Sequence, residues 1–333
     1  MHAVALSLAV WALVQVPVPP PRDTLRVYAV GDLNLGRWIT HQRLLKGDTL
    51  YPFRVVRDTL KRADLLFGNL ESAIAPAGHR YEDTGSVVFT APPIAADAIA
   101  KAGFTVVSDA NNHAWDAGRA GVFATLRELD RVGVAHVGTG RTLEEAHRPA
   151  WIERRGWRIA VFAMTRAFNP APYDFYSHEG SKYVAWADST WLYPAIREVK
   201  ASGRADLVIV SVHGGTELSD GPDAYLKKFW RGAVDAGADI VLGHHPHVLQ
   251  RVEWYRGKPI VYSLGNFVFE QTSPWTRLSA IFRFVVTPDG TITADLIPTR
   301  ANFQVTFAAG AAADSIRRRV GPLAAPTPAS DAP

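Results

Sequence analysis

The feature that most constrains this chain is a recurrence. Short apolar, β-rich runs stop, again and again, in a turn carrying Asp, Asn, Glu or His. Residues 25–30 lead into Gly31-Asp32, and 64–67 into Gly68-Asn69-Leu70-Glu71. Residues 104–108 end at Asp109-Ala110-Asn111-Asn112-His113, 207–212 at His213, and 240–242 at Gly243-His244-His245-Pro246-His247. Between them, 53–62, 92–102, 118–132, 188–202 and 222–236 have helical spacing, while 134–137 and 158–164 are further strand-like runs. Such alternation predicts an α/β domain with a largely parallel sheet. Ligands of such sheets bind outside the carboxyl ends of the strands, so the polar turns should converge on one rim.

The last third changes character. Residues 248–254, 258–264, 279–286 and 291–298 are consecutive strand-like runs with turns at Arg256-Gly257 and Asp289-Gly290. They read as an antiparallel meander. No repeat and no linker divides the middle, so residues 22–307 are expected to form one layered domain. Residues 3–16 are an apolar run of about 14 residues before a proline cluster at 17–21, shorter than the roughly 20 that span a bilayer. Residues 1–21 are therefore expected to be a secretory signal or N-terminal anchor, and the protein to be exported. Residues 308–333, rich in Ala and Pro around one basic helical stretch, are expected to be a partly disordered tail.

Composition narrows the chemistry. With 47% hydrophobic and 20% charged residues in 333, the chain is neither wholly disordered nor a multi-span membrane protein. The absence of Cys excludes disulfides, thiolate zinc sites and a Cys nucleophile. Any metal must be held by His, Asp, Glu, Asn or backbone oxygen. The net charge is +4, and the basic residues are scattered, with no run longer than Arg317-Arg318-Arg319. The plainer account is an Arg-rich chain with solvated charged faces, and a diffuse attraction for an anionic substrate or polymer is the alternative; no basic stripe points to nucleic acid.

The strand ends offer Asp32, Asn34, Glu71, Asn112, His113, His213, His245 and His247. Carboxylates, amides and imidazoles are what Zn, Mn or Fe accepts when thiolates are missing. Two such cations can share a carboxylate, activate a water and clamp a phosphoester oxygen. Each residue alone has a plainer account. Asp after a strand often caps a turn or helix, and a lone His is often structural. Three His within four residues at one strand end are harder to explain as packing.

The segments GDLNLGR (31–37), NLES (69–72), NNHAWDAG (111–118), HGGTEL (213–218), GHHPHVLQ (243–250) and YSLGNFVFE (262–270) resemble the CapA family of capsule-synthesis proteins. That family is associated with poly-γ-glutamate production and is related to the calcineurin-like metallophosphoesterases. The resemblance implies a four-layer α/β/β/α sandwich of the metallophosphoesterase type with two divalent metal ions. Asp32 would be the first carboxylate ligand, Glu71 the bridging one and Asn112 a ligand of the second metal. His213, His245 and His247 would complete the imidazoles, with Asn34 as an amide where related enzymes place His. His113 would be the general acid. Arg37, Asn69, Glu217, His244 and Asn266 would face the substrate, Arg37 gripping an anion.

The resemblance leaves different classes of function open. One is an exported metal-dependent hydrolase acting on a phosphoester or related bond of a cell-surface polymer. Another is a non-catalytic accessory subunit of a membrane capsule synthase that binds the anionic polymer, poly-γ-glutamate. Cleavage or transfer of γ-glutamyl chains is a third.

Overall fold

The computed structural model describes residues 21–82, 87–169, 179–270 and 273–325. Most of the expected leader and the last residues of the expected tail lie outside the described residues.

The first part of the chain holds β1 (Leu25–Leu33), β2 (Leu65–Leu70), the short pair β3 (Ala73–Ile74) and β4 (Thr90–Ala91), β5 (Val106–Ser108) and β6 (Ala135–Val137). Then come β7 (Ala150–Arg154), β8 (Trp157–Thr165), β9 (Leu207–His213) and β10 (Ile240–His244). The remainder adds β11 (Val252–Tyr255), β12 (Lys258–Val261), β13 (Asn266–Val268), β14 (Leu278–Val286), β15 (Ile292–Arg300) and β16 (Thr306–Phe307). The helices are α1 (Arg37–Gln42), α2 (Arg57–Leu60), α3 (Ile94–Ala102), α4 (Gly118–Val132), α5 (Leu143–His147), α6 (Ser189–Ala201), α7 (Ala224–Ala236) and α8 (Gly310–Val320).

Two sheets form. The first runs β16-β15-β14-β1-β2-β5-β6, with β13 also paired to β1; the second runs β11-β12-β10-β9-β8-β7. Strands β1, β2, β5 and β6 are mutually parallel, as are β8, β9, β10 and β12. The predicted α/β class therefore holds.

Period-two alternation explains the packing. Val27 and Ala29 of β1 and Phe67 of β2 share one apolar cluster with Ile159 and Val161 of β8, Ile209 of β9 and Leu242 of β10. The opposite-facing Tyr28, Val30 and Leu66 pack with Ile39 of α1 and Ala95 and Ile99 of α3. On the second sheet, Phe162, Val208, Val210 and Val241 pack with Leu192 and Ile196 of α6 and Leu226 and Trp230 of α7.

The expected meander is replaced by two separate hairpins. Strands β11 and β12 belong to the second sheet and β14 and β15 to the first. The chain changes sheets between β12 and β13, because β12 adds in parallel to β10 whereas β13 adds in parallel to β1. Two glycines permit this seam. A Cβ on Gly31 would lie 1.8 Å from the Gly265 carbonyl oxygen, and one on Gly243 would lie 2.1 Å from that of Tyr262. Backbone bonds close it: Asp32 N–H donates to Gly265 O at 3.0 Å and Leu264 N–H to Gly243 O at 3.0 Å.

The packed body also continues past Phe307, where the sequence reading ended it. Helix α8 buries Ile316 and Val320 in the cluster between the sheets. Among the described residues no helix is long and apolar enough to cross a membrane.

Candidate metal centre

Register sets the site. Asp32 near the end of β1 pairs with Asn69 of β2 on one side and Asn266 of β13 on the other. His213, the last residue of β9, pairs with His244 of β10. The two sheets thus present their carboxyl ends to each other, and residues far apart in sequence meet.

Glu71 lies at the middle. Its Oε1 is 3.7 Å from Nε2 of His213, 3.7 Å from Nε2 of His247 and 4.0 Å from Nε2 of His113. Asp32 Oδ2 is 3.4 Å from Nδ1 of His247. Nε2 of His213 is 2.8 Å from Oδ1 of Asn112 and 3.1 Å from Nδ1 of His245. Two sets of potential ligands result, Glu71/His213/His245 and Asp32/Glu71/His247, each with donor atoms within 4.8 Å of one another. Glu71 belongs to both, which is the position of a bridging carboxylate.

The donors suit divalent cations of the borderline type. Asp32 and Glu71 are sealed from solvent, yet Asp32 Oδ2 and both carboxyl oxygens of Glu71 have no hydrogen-bond partner. Buried polar atoms of this kind are costly unless something pairs with them. A cation in each set would satisfy all three oxygens.

The electrostatics agree. Burial, then the Asp32 carboxylate, pushes Glu71 well above its ordinary range. Burial also acts to raise Asp32, but the His244 and His247 imidazoles close beside it outweigh burial and hold Asp32 well below its ordinary range. Two neighbouring buried carboxyl groups are thus pushed in opposite directions, Asp32 toward the ionised form and Glu71 toward the protonated one. Burial, reinforced by neighbouring imidazoles, depresses His213 strongly and brings His245 down to about 3, so both rings are neutral. Burial lowers His247 too, but the adjacent Asp32 carboxylate reverses the sign and raises it.

The His turn is strained. His245 and His247 have φ of 95° and 58°, in the left-handed region that side chains rarely adopt, which costs about 1–3 kcal/mol each. The turn is pinned by Leu218 N–H donating to Pro246 O at 2.9 Å and by the Asn266 amide donating to His247 O at 3.3 Å. Nδ1 of His247 donates to Oδ1 of Asn266 at 2.8 Å, leaving Nε2 directed at Glu71.

Several expected roles change. Asn34 does not offer its amide oxygen to the centre: Oδ1 accepts Gly36 N–H at 2.9 Å, closing the turn after β1. Asn69, His244 and Asn266, expected to face the substrate, are fully buried behind the ligands. The Asn69 amide donates to Asp32 Oδ1 at 2.8 Å and lies 3.1 Å from Nδ1 of His213. His244 Nδ1 sits 3.2 Å from Asp32 Oδ1. Arg37, expected to grip an anion, has one nitrogen paired with Glu270 at 2.6 Å and lies 5.2 Å over the ring of Phe89. Glu217 is exposed, and its charge is felt at Glu71 and His247 without a direct contact to either.

His113 stacks on Phe89, ring centres 3.8 Å apart, and its Nδ1 lies 2.7 Å from Asp116 Oδ2. That carboxylate also accepts Phe89 N–H at 2.6 Å. Sequence reasoning missed Asp116, although it stands in NNHAWDAG three residues after His113, the spacing that closes such a contact on one turn. It also missed Asn169, which bonds to Asn112 and stands in no motif.

Fold and site together define an α/β protein whose strand ends build a candidate metal centre from nitrogen and oxygen donors alone. Residues 26–271 match the model of the family described as bacterial capsule synthesis protein PGA_cap. The chain belongs to that family. It is 32% identical over 304 residues to the capsule biosynthesis protein CapA of Bacillus anthracis, covering 89% of this chain and 73% of that one. Over 278 residues it is 32% identical to the PGA biosynthesis protein CapA of Bacillus subtilis (strain 168), covering 83% and 71%. Among solved structures, a 5'-nucleotidase from Candida albicans SC5314 aligns with a TM-score of 0.47 at 11% identity, over 84% of this chain and 52% of that one.

Proposed function

We propose that this chain is an exported metal-dependent hydrolase of capsule metabolism that cleaves a phosphoester or related bond of an anionic polymer such as poly-γ-glutamate. The observation that carries the reading is the unpartnered Glu71 carboxylate shared by two ligand sets. Asp32 and His247 would hold one cation, His213, His245 and Asn112 the other, and Glu71 both. Bound divalent ions supply Lewis-acid polarisation and ease deprotonation of a water.

The rest is the work of side chains. Asp116 fixes Nδ1 of His113, so the ring turns its Nε2 toward Glu71 and the cleft. A proton held at Nε2 is delivered to the departing oxygen. Asn69 and His244 hold Asp32 from behind, and Asn266 holds His247. The expected apolar leader supports the export part of the reading.

The test is turnover of a chromogenic phosphodiester by the purified full chain with Mn or Zn, compared with His245→Ala. Metal-dependent turnover lost in the variant supports hydrolysis. Full metal loading without turnover of phosphodiester or poly-γ-glutamate overturns it. That result would favour the second reading, a polymer-binding accessory subunit of a membrane capsule synthase. This alternative is supported by similarity to a probable polyglutamine synthesis accessory protein of Mycobacterium tuberculosis, 27% identical over 261 residues.

A further inference from the structure

Asn112 can serve a cation only through its oxygen, because its NH2 group has no lone pair to give. An amide can present either end, so something must choose. Oδ1 of Asn112 is 2.8 Å from Nε2 of His213, on the ligand side. Its other end, Nδ2, donates to Oδ1 of Asn169 at 2.8 Å, and the Asn169 amide donates in return to the Asn112 backbone oxygen at 3.1 Å. The two bonds key each other. Turning over Asn112 alone would set two carbonyl oxygens together. Turning over Asn169 to relieve that would aim its oxygen at the backbone oxygen of Asn112. Only the observed arrangement satisfies both groups.

The support for Asn169 is itself anchored on the metal centre. Arg166 N–H donates to the His213 carbonyl at 2.7 Å. Thr165 Oγ1 donates to Ala167 O at 2.8 Å and accepts from Ala167 N–H at 3.1 Å. This turn leaves β8 of the second sheet, whereas Asn112 follows β5 of the first. The bond therefore spans the cleft and joins one ligand to the strand end beside another.

We infer that Asn169 is a positioning residue that locks the Asn112 amide with its oxygen toward the second metal. The inference rests on the dinuclear reading of the site but not on hydrolysis. Removing partners that orient a ligand typically costs about 10–100-fold in metal affinity.

The experiment is calorimetric titration of the full metal-free chain with Mn(II), for wild type, Asn169→Ala, Asn112→Ala and the double variant. Asn169→Ala is expected to weaken one Mn equivalent by about 10–100-fold and leave the other unchanged. In the Asn112→Ala background the same substitution should change nothing further, an outcome that a general loss of fold would not produce. Wild-type affinity at both equivalents in Asn169→Ala overturns the inference, as does an equal loss in the Asn112→Ala background or a wild-type chain that takes up no Mn. A chain that binds two Mn and turns over nothing removes the hydrolase reading alone.

Discussion

The carboxylate of Asp32 and the imidazole of His244 lie 3.2 Å apart, Oδ1 to Nδ1, with both side chains sealed from solvent. His244 also packs on Phe67, ring centres 5.8 Å apart, on the inner side of the sheet. It therefore braces Asp32. His244→Phe keeps the bulk and removes the ring nitrogens, so it is expected to weaken Mn at the Asp32 set by about tenfold or more while the chain stays folded. Mn titration with circular dichroism checks this; unchanged affinity would show that Asp32 needs no brace from behind.

Glu71→Gln should separate stability from function. The folded chain raises Glu71 above its ordinary value of 4.5, so the native state binds that proton more tightly than the unfolded one. The stabilising contribution is full below 4.5 and is lost as pH rises through the folded value. The metal-free wild type should therefore lose stability as pH climbs from 4.5 to the folded value, and the amide should flatten the trend. At neutral pH Glu71→Gln is expected to stabilise the metal-free chain by about 1–3 kcal/mol while abolishing dinuclear loading. Urea unfolding across pH, without metal, gives the answer; a variant with the same pH slope as wild type would refute it.

The seam between the sheets has no room for a methyl group. Gly31→Ala and Gly243→Ala are expected to cost about 3 kcal/mol or more, because the new Cβ meets backbone rather than a side chain that can move. Gly257→Ala is the control. Its φ of 72° is strained for alanine but nothing lies near its Cβ, so about 1 kcal/mol is expected. Thermal melting should rank the three in that order.

Asp116→Asn tests the proton donor apart from the metal. If His113 protonates the leaving oxygen, losing the carboxylate on Nδ1 should lower kcat by about 100-fold or more. KM and metal content should stay near wild type. Loss of metal instead would place Asp116 in support of the cage.

Convergence of Asp32, Glu71, Asn112, His213, His245 and His247 was legible in the sequence because each stands at or just past a strand end, and topology brings such ends together. Orientation was not legible. Spacing does not tell whether Asn34 turns its oxygen inward or closes the turn onto Gly36. Nor does it separate His244, still on the strand, from His245, which a left-handed φ swings to the cleft. The late hairpins looked continuous because their sheet membership depends on parallel pairing with β10 and β1, a contact between distant segments. Asn169 carries no local signal at all, since its partner is 57 residues away.

Each sheet contributes about half of the cage, and the segment that crosses from one to the other lies main chain against main chain at Gly31 and Gly243, where a Cβ would not fit. The gauge of the cage is thus fixed by atoms that every amino acid shares. An ion of a different radius is therefore expected to be fitted by Glu71 and the histidine rings tilting rather than by the walls moving apart.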